Sequence, residues 1–149
     1  MKTSEISTID QVPVRDENVL QLPLGLLGFE QFKRYVLLSR PEEAPFLWLQ
    51  VLDQPNLAFV VVSPTAVASD YEPEISDEDV RFLDLRAPED ALVFNLVTLR
   101  GQNNATVNLK GPVLVNRRTL IGKQIVPLNA AELPVCQPIS VTACAMLVL

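Results

Sequence analysis

Apolar and polar residues alternate along much of this chain with the period of two that is typical of β-strands. The clearest strand candidates are rich in β-branched and aromatic residues, and they are residues 19–22, 34–38, 46–52 and 57–62. Short connections with turn-forming residues separate the last three, and short connections join antiparallel neighbours. The pattern therefore predicts an antiparallel meander, which residues 91–100 and 120–126 would continue and close.

The residues between Thr106 and Asn116 predict a strand with a kink in its middle. Apolar and polar residues alternate on both sides of the tripeptide Lys110-Gly111-Pro112. Proline lacks a backbone donor and favours extended geometry in the residue before it, so the tripeptide predicts a kink rather than a reverse turn. Asn108 and Asn116 would then form a polar ridge, either offered to a partner or facing solvent at a barrel corner.

An acidic segment, residues 70–90, contains the one helix that the sequence predicts. It has nine Asp or Glu residues against two arginines, so its formal charge of −7 exceeds in magnitude the −6 of the whole chain. Ser76 can cap a helix that begins with Asp77-Glu78-Asp79, because acids in a first turn complement the helix dipole. We therefore expect one short acidic helix near residues 76–83, whose acids are either a solvated face or a surface that attracts or repels a partner.

A basic segment, residues 100–124, follows the acidic one along the chain. It contains five Lys or Arg residues and no Asp or Glu. The two segments could neutralise each other within the fold, or they could form two separate partner surfaces.

Composition narrows the classes of function. A chain of 149 residues can bury one core, and 48% apolar residues argue against disorder. The absence of histidine removes the usual general base and the commonest metal ligand, so we predict no catalytic residue, cofactor or metal. The negative net charge disfavours general nucleic-acid binding. Because the N-terminus has no apolar run of signal-peptide length, we expect a cytoplasmic protein.

Several stretches, in this order and spacing, resemble the FliW family of flagellar assembly factors. They are Leu22-Pro23-Leu24-Gly25-Leu26-Leu27-Gly28-Phe29-Glu30, Pro45-Phe46-Leu47-Trp48-Leu49-Gln50, Leu57-Ala58-Phe59-Val60-Val61, Asp70-Tyr71-Glu72, Ser76-Asp77-Glu78-Asp79-Val80, the kinked stretch Thr106 to Asn116, and Gly122-Lys123-Gln124. The resemblance runs from about Leu20 to Val126. We therefore expect a FliW-like β-barrel domain at residues 1–127 and a divergent tail at residues 128–149, which contains prolines and then becomes apolar.

The resemblance implies an all-β protein with a small antiparallel barrel-like fold, without enzymatic activity or cofactor. It also implies two protein partners, flagellin and the translational regulator CsrA, which is a small basic RNA-binding dimer. In the family, flagellin that has not been exported occupies the factor. Once flagellin leaves, the freed factor binds CsrA and relieves its repression of flagellin synthesis, acting beside the RNA site rather than within it.

Two sets of residues are predicted to act on these partners. The first set would supply a negative field that repels RNA phosphates within about a Debye length, roughly 8–10 Å, and comprises Glu72, Asp77, Glu78 and Asp79. The second set would form a shared partner site beside the kink, and comprises Tyr71, Asn108, Pro112, Val113 and Asn116.

Two other classes of function are compatible with a small β-barrel. A small-ligand-binding or enzymatic barrel would need a pocket with convergent polar groups. A nucleic-acid binder of the OB type would use the bases of the basic segment, but it would also need stacking aromatic residues, and residues 100–124 contain none.

Overall fold

The computed structural model describes residues 19–43, 45–64, 70–100 and 104–140, so the apolar tail at 141–149 lies outside it. Within these ranges the chain forms one α-helix, α1 (Asp77–Phe82), three short 3₁₀ helices (Pro41–Glu43, Pro88–Asp90 and Ala130–Glu132) and nine strands. The strands are β1 (Val19–Gln21), β2 (Arg34–Ser39), β3 (Phe46–Val51), β4 (Ala58–Val62), β5 (Ala91–Leu99), β6 (Asn104–Val107), β7 (Val113–Asn116), β8 (Gly122–Gln124) and β9 (Gln137–Ser140). The prediction of an antiparallel all-β fold with one short acidic helix is confirmed.

The first five strands are consecutive neighbours in one antiparallel sheet. β3 lies between β2 and β4, and its Trp48 is opposite Leu38 on one side and Val60 on the other. The turn-rich connections thus join strands that pair directly, which confirms the predicted meander.

The kink is the point at which the sheet divides. β6 and β7 both run antiparallel to β5, with Val107 opposite Val97 and Val113 opposite Phe94. The chain therefore keeps its direction across Lys110–Pro112, as the proline predicts. The second neighbouring strand differs on the two sides of the kink. Before it β6 pairs with β9, and after it β7 pairs with β8.

The curved sheet returns to its first strand at a narrow seam. The backbone N–H of Gln21 in β1 donates to the carbonyl of Leu120 at 2.9 Å, and Gln21 forms a single parallel bridge with Ile121. The sheet is therefore barrel-like, but it is not closed by a full ladder of hydrogen bonds.

Successive residues of β2 supply two different cores. Tyr35 and Leu37 pack into the main cluster inside the curved sheet, whereas Val36 and Leu38 pack on the opposite face against Trp48. The Trp48 side chain is half-buried, and its Nε1 donates to the Glu43 carboxylate at 3.1 Å. Burying a large apolar side chain contributes about 1.5–3 kcal/mol, so two covered faces make β2 a stable part of the sheet.

Burial of Tyr35 predicts a loss of stability at alkaline pH. Burial raises the pKa of Tyr35 to about 12, whereas an unfolded tyrosine titrates near pH 10. The folded state therefore holds the proton more tightly, and this contribution is fully present below about pH 10 and lost as the pH rises towards 12. We expect the free energy of unfolding, measured with urea, to fall less steeply in Tyr35→Phe than in the parent over this range. An identical pH dependence in both proteins would contradict the assignment.

Candidate partner-binding surface

α1 is capped at both ends by hydrogen bonds. The Ser76 hydroxyl accepts a hydrogen bond from the Asp79 N–H at 3.1 Å, as expected of an N-cap. At the other end Asp84 adopts a left-handed conformation with φ of 53°. Its N–H donates to Arg81, and the Leu85 N–H donates to Val80, which together form a Schellman motif without glycine.

The four acids assigned to the negative field do not share one environment. Glu72, Asp77 and Glu78 are exposed, and none forms an ion pair with a residue in the described part of the chain. Asp79 is only 6% exposed, and its Oδ1 accepts a hydrogen bond from Lys123 Nζ at 2.5 Å. Asp79 therefore ties α1 to β8, and its charge is neutralised locally.

Breaking this ion pair is expected to destabilise the protein. Asp79→Asn should lower the free energy of unfolding by about 1–3 kcal/mol, because Lys123 would keep its charge at a poorly solvated position. In a double-mutant cycle with Lys123→Met, urea unfolding should give a coupling energy of at least about 0.5 kcal/mol. The matched control is Glu78→Gln on the exposed side of the same helix, which should change stability by less than about 0.5 kcal/mol. Additive effects of the two substitutions would show that the pair does not stabilise the fold.

Tyr71 and Asn108 meet at the kink, as the predicted shared site requires. The Asn108 Oδ1 accepts hydrogen bonds from the N–H groups of Lys110 and Gly111, at 2.9 and 3.1 Å, so the side chain organises the kink itself. The Tyr71 hydroxyl donates to the Leu109 carbonyl at 2.7 Å. The buried Asn95 completes the cluster, since its Nδ2 donates to the Asn108 carbonyl at 2.9 Å. Both Tyr71 and Asn108 remain half-buried.

The other three residues of the predicted shared site are buried. Pro112 and Val113 lie beneath the surface, and Asn116 is 0% exposed. The alternation of β7 predicted that Asn116 forms a polar ridge with Asn108. This prediction is wrong, because Asn116 is buried. A direct contact of these three residues with a partner stays a prediction, and in the free protein they shape the surface from below.

Asn116 connects α1 to the turn between β7 and β8. Its Nδ2 donates to the carbonyls of Leu83 and Asp84, at 2.7 and 3.0 Å, where α1 ends. Its Oδ1 accepts from the N–H groups of Arg118 and Thr119, at 2.8 and 3.3 Å. One buried amide thus bonds to four backbone groups, and among these the Asp84 carbonyl also accepts from Arg118 Nη2 at 2.7 Å.

The acidic and basic segments face each other within the fold. Arg118 lies 3.5 Å from the Asp90 carboxylate and 3.7 Å from that of Asp84, and Lys123 pairs with Asp79. Hydrogen bonding from the Arg86 N–H, with a further contribution from Arg118, lowers the pKa of Asp90. Internal neutralisation, one of the two readings of the charge pattern, is therefore confirmed for three of the nine acids.

Asn129 is a structural contact of the acidic segment that the sequence did not indicate. Its Oδ1 accepts from the Glu74 N–H at 2.9 Å, and its Nδ2 donates to the Glu72 carbonyl at 3.1 Å. The Leu128 N–H also donates to the Glu74 carbonyl, at 2.8 Å. These contacts hold the extended start of the acidic segment in place. A single asparagine in a Pro-Leu-Asn stretch carries no local signal for such a distant contact.

An apolar groove, called here the α1–β5 groove, opens between the acidic segment and the first half of β5. Its volume is about 460 Å³, and its lining is Pro73, Ile75, Val80, Leu85, Arg86, Ala87, Pro88, Ala91 and Val93. Arg86 is the one charged residue of this lining, so the groove lacks the convergent polar groups that a metabolite or a reaction would need.

The described residues offer neither a metal site nor a membrane-spanning helix. They contain no group of three or more His, Cys, Asp or Glu side chains placed to hold a metal ion. None of their helices has the length and the apolar character needed to cross a bilayer.

Comparison with known proteins gives one consistent result. The model of the family described as FliW protein matches residues 3–139, and this match extends beyond residue 127 into β9. A flagellar assembly factor FliW from Natranaerobius thermophilus is 42% identical over 118 residues, which is 78% of each chain. One from Leptospira interrogans is 36% identical over 124 residues, or 82% of this chain and 83% of the relative. A crystal structure of the flagellar assembly factor FliW shares the fold, with a TM-score of 0.76 and 24% identity over 91% of this chain and 94% of that chain.

Proposed function

Because this chain belongs to the FliW family of flagellar assembly factors, we propose that it is a non-catalytic cytoplasmic factor that binds flagellin and CsrA in exchange. Flagellin that has not been exported occupies the protein. When flagellin is exported, the free protein binds CsrA and relieves its repression of flagellin synthesis.

The observation that carries the proposal is the charge left exposed on the acidic segment. Asp79, Asp84 and Asp90 are paired with bases, but Glu72, Asp77 and Glu78 are exposed without an ion pair to any residue that the structure describes. Surface charges act over about a Debye length, roughly 8–10 Å at moderate salt. Three such carboxylates held beside the RNA-binding surface of a basic regulator would repel phosphates without occupying the RNA site.

The rigid mounting of these acids supports the same mechanism. Ser76 caps α1, Asn116 holds its end, and Asn129 holds the extended stretch before it. Charges that are already fixed lose no conformational entropy when the partner binds, whereas charges on a mobile loop would first have to be ordered. The acids therefore keep a constant position relative to a docked regulator.

The site shared by the two partners is proposed to be the kink. Tyr71 and Asn108 are its accessible members, and the buried Pro112, Val113 and Asn116 maintain its shape. Chemical-shift mapping with a C-terminal flagellin peptide tests this location. Shifts are expected at Tyr71, Asn108 and their neighbours, and shifts confined to the opposite face of the sheet would exclude the kink.

Direct binding tests the function as a whole. The purified full chain should bind purified flagellin and purified CsrA separately, and excess flagellin should displace CsrA in a competition titration. In the same assay RNA should dissociate from CsrA as this protein is added. Binding to neither partner would refute the proposed function.

A further inference from the structure

The connection between β1 and β2 begins with residues 22–30, called here the apolar loop, which present large apolar side chains to solvent. Leu24, Leu27 and Phe29 are 53%, 66% and 36% exposed. Leu22 and Leu26 of the same loop are buried in the main cluster inside the sheet. Two leucines thus anchor the loop in the core and leave three large apolar side chains outside. A contiguous exposed group of this kind is typical of an interaction site.

The backbone of the apolar loop is fixed. The Gly25 N–H donates to the Leu22 carbonyl, and the Phe29 N–H donates to the Leu26 carbonyl, both at 2.8 Å. Gly25 has a φ of 68°, and a Cβ at this position would lie only 2.6 Å from the Glu30 Cα, so the turn requires glycine. The exposed side chains are therefore positioned before a partner arrives, which reduces the conformational entropy lost on binding.

Gln124 of β8 connects the apolar loop to the kink. Its Oε1 accepts a hydrogen bond from the Leu27 N–H at 2.9 Å, and its Nε2 donates to the Gly111 carbonyl at 3.0 Å. The Gly111 N–H in turn donates to the Asn108 Oδ1 at 3.1 Å. One glutamine side chain therefore spans the distance between the loop and the proposed shared site, so the apolar loop extends the surface of that site.

The apolar loop differs from the acidic segment in its charge. The whole connection, residues 22–33, contains one acid, Glu30, and one base, Lys33. Arg34, the next residue, is paired with Asp53 at 2.5 Å. A basic partner would gain little attraction from this surface. An apolar helix face without an excess of charge would instead match it.

We propose that the apolar loop is a second contact for flagellin, next to the kink, and that it receives the apolar face of an amphipathic helix. This inference rests on the proposed function, under which flagellin and CsrA share the kink. Residues at i, i+3 and i+4 of such a helix form one apolar stripe, which can cover exposed leucines. The loop would then strengthen the binding of flagellin and contribute little to that of CsrA.

Other occupants fit the apolar loop less well. A second copy of this chain would bring together two molecules that each carry a net charge of −6. A bilayer with anionic lipids would repel the same net charge. A helix of a partner protein that already docks at the kink has neither disadvantage.

Substitution of the two exposed leucines tests the inference with purified full-length flagellin and CsrA. Leu24→Ser with Leu27→Ser should weaken flagellin binding at least tenfold, while the affinity for CsrA should change less than threefold. The matched control, Val126→Ser with Val135→Ser, removes similarly exposed apolar side chains outside the loop and should leave flagellin binding unchanged. Unchanged flagellin binding by the leucine variant, or equal losses for both partners, would overturn the inference. If the parent protein binds neither partner, the proposed function itself fails.

The leucine variant also distinguishes the other occupants. Sedimentation should show the parent as a monomer, and a dimer that the two serines disperse would assign the loop to self-association. Vesicles of phosphatidylcholine should bind neither protein, and binding by the parent alone would assign the loop to a membrane surface. Either of these results would overturn the inference. A urea midpoint equal to that of the parent would confirm that the leucine variant remains folded.

Gln124→Ala tests the position of the loop without changing an exposed apolar side chain. The variant removes the acceptor of the Leu27 N–H, so hydrogen exchange of this amide should become at least tenfold faster. Flagellin binding should weaken at least threefold, and more than CsrA binding, because the leucines would no longer be held beside the kink. Unchanged flagellin binding together with faster exchange at Leu27 would overturn the inference.

Discussion

Replacing Asn116 by alanine is expected to lower the free energy of unfolding by about 3–4 kcal/mol. The substitution removes four hydrogen bonds, and each is worth about 1 kcal/mol net. The carbonyl of the buried Leu83 would lose its bond from this amide, whereas the Asp84 carbonyl would keep its bond from Arg118. Because domains are stable by only about 5–15 kcal/mol, the variant should unfold at a clearly lower urea concentration.

Asn116→Asp separates the two roles of the side chain. It retains the oxygen that accepts from Arg118 and Thr119, but it removes the donors to Leu83 and Asp84. We expect a substantial loss of stability here as well, because a carboxylate would face two carbonyl oxygens. Circular dichroism at intermediate urea should show α1 and the rest of the fold unfolding together. A loss below about 1 kcal/mol for the alanine variant would show that water replaces the amide.

Reversing Glu72, Asp77 and Glu78 to lysine should abolish the relief of RNA binding. The three residues are exposed and are not ion-paired with described residues, so the fold should remain intact. RNA would then meet three positive charges in place of three negative ones. The measurement is the amount of RNA displaced from CsrA at saturating concentrations of the variant, because saturation separates the field from any loss of affinity.

The choice of these three residues depends on the structure. Including Asp79 would place a lysine against Lys123 at a buried position, and the result would report unfolding rather than a lost field. The matched control reverses Glu42 and Glu132, exposed acids outside the acidic segment, and should displace RNA as the parent does. Full displacement of RNA by the triple variant would show that these three acids do not contribute to the relief of RNA binding.

The strands of the meander could be predicted because their signals are local. β2, β3 and β4 each have strong β-propensity, and the residues between them favour turns. The kink was predictable for the same reason, since proline restricts its own backbone and that of the preceding residue. The course of the chain through most of the sheet therefore follows from neighbouring residues.

The environment of β7 could not be predicted in this way. Alternation shows which residues share a face, but it does not show what covers that face. Val113 and Val115 pack into the main core, whereas Leu114, on the other face, packs with Leu83 from the end of the helix. Asn116 shares the face of Leu114 and is therefore buried under α1 instead of facing a partner or solvent.

The inward orientation of Asp79 could not be predicted for a related reason. Three consecutive acids in a first helical turn are equally compatible with a solvated face, and which of them points inward depends on where Lys123 lies. The two residues are 44 positions apart in the chain. The contact of Asn129 with Glu72 and Glu74 spans a similar distance, and no local pattern encodes either pair.

The narrow seam between β1 and the start of β8 has a consequence for how the protein is made. It joins Gln21 to Ile121, residues 100 positions apart, through one bridge. Contacts between distant residues form late, since closing so long a loop costs entropy before the contact repays it. On the ribosome, strands β2 to β4 can pair while synthesis continues, but the seam must wait until Ile121 has emerged from the exit tunnel. A nascent chain thus passes through a stage in which the seam is open and the inner apolar surface of the sheet is exposed, and such surface is prone to aggregation.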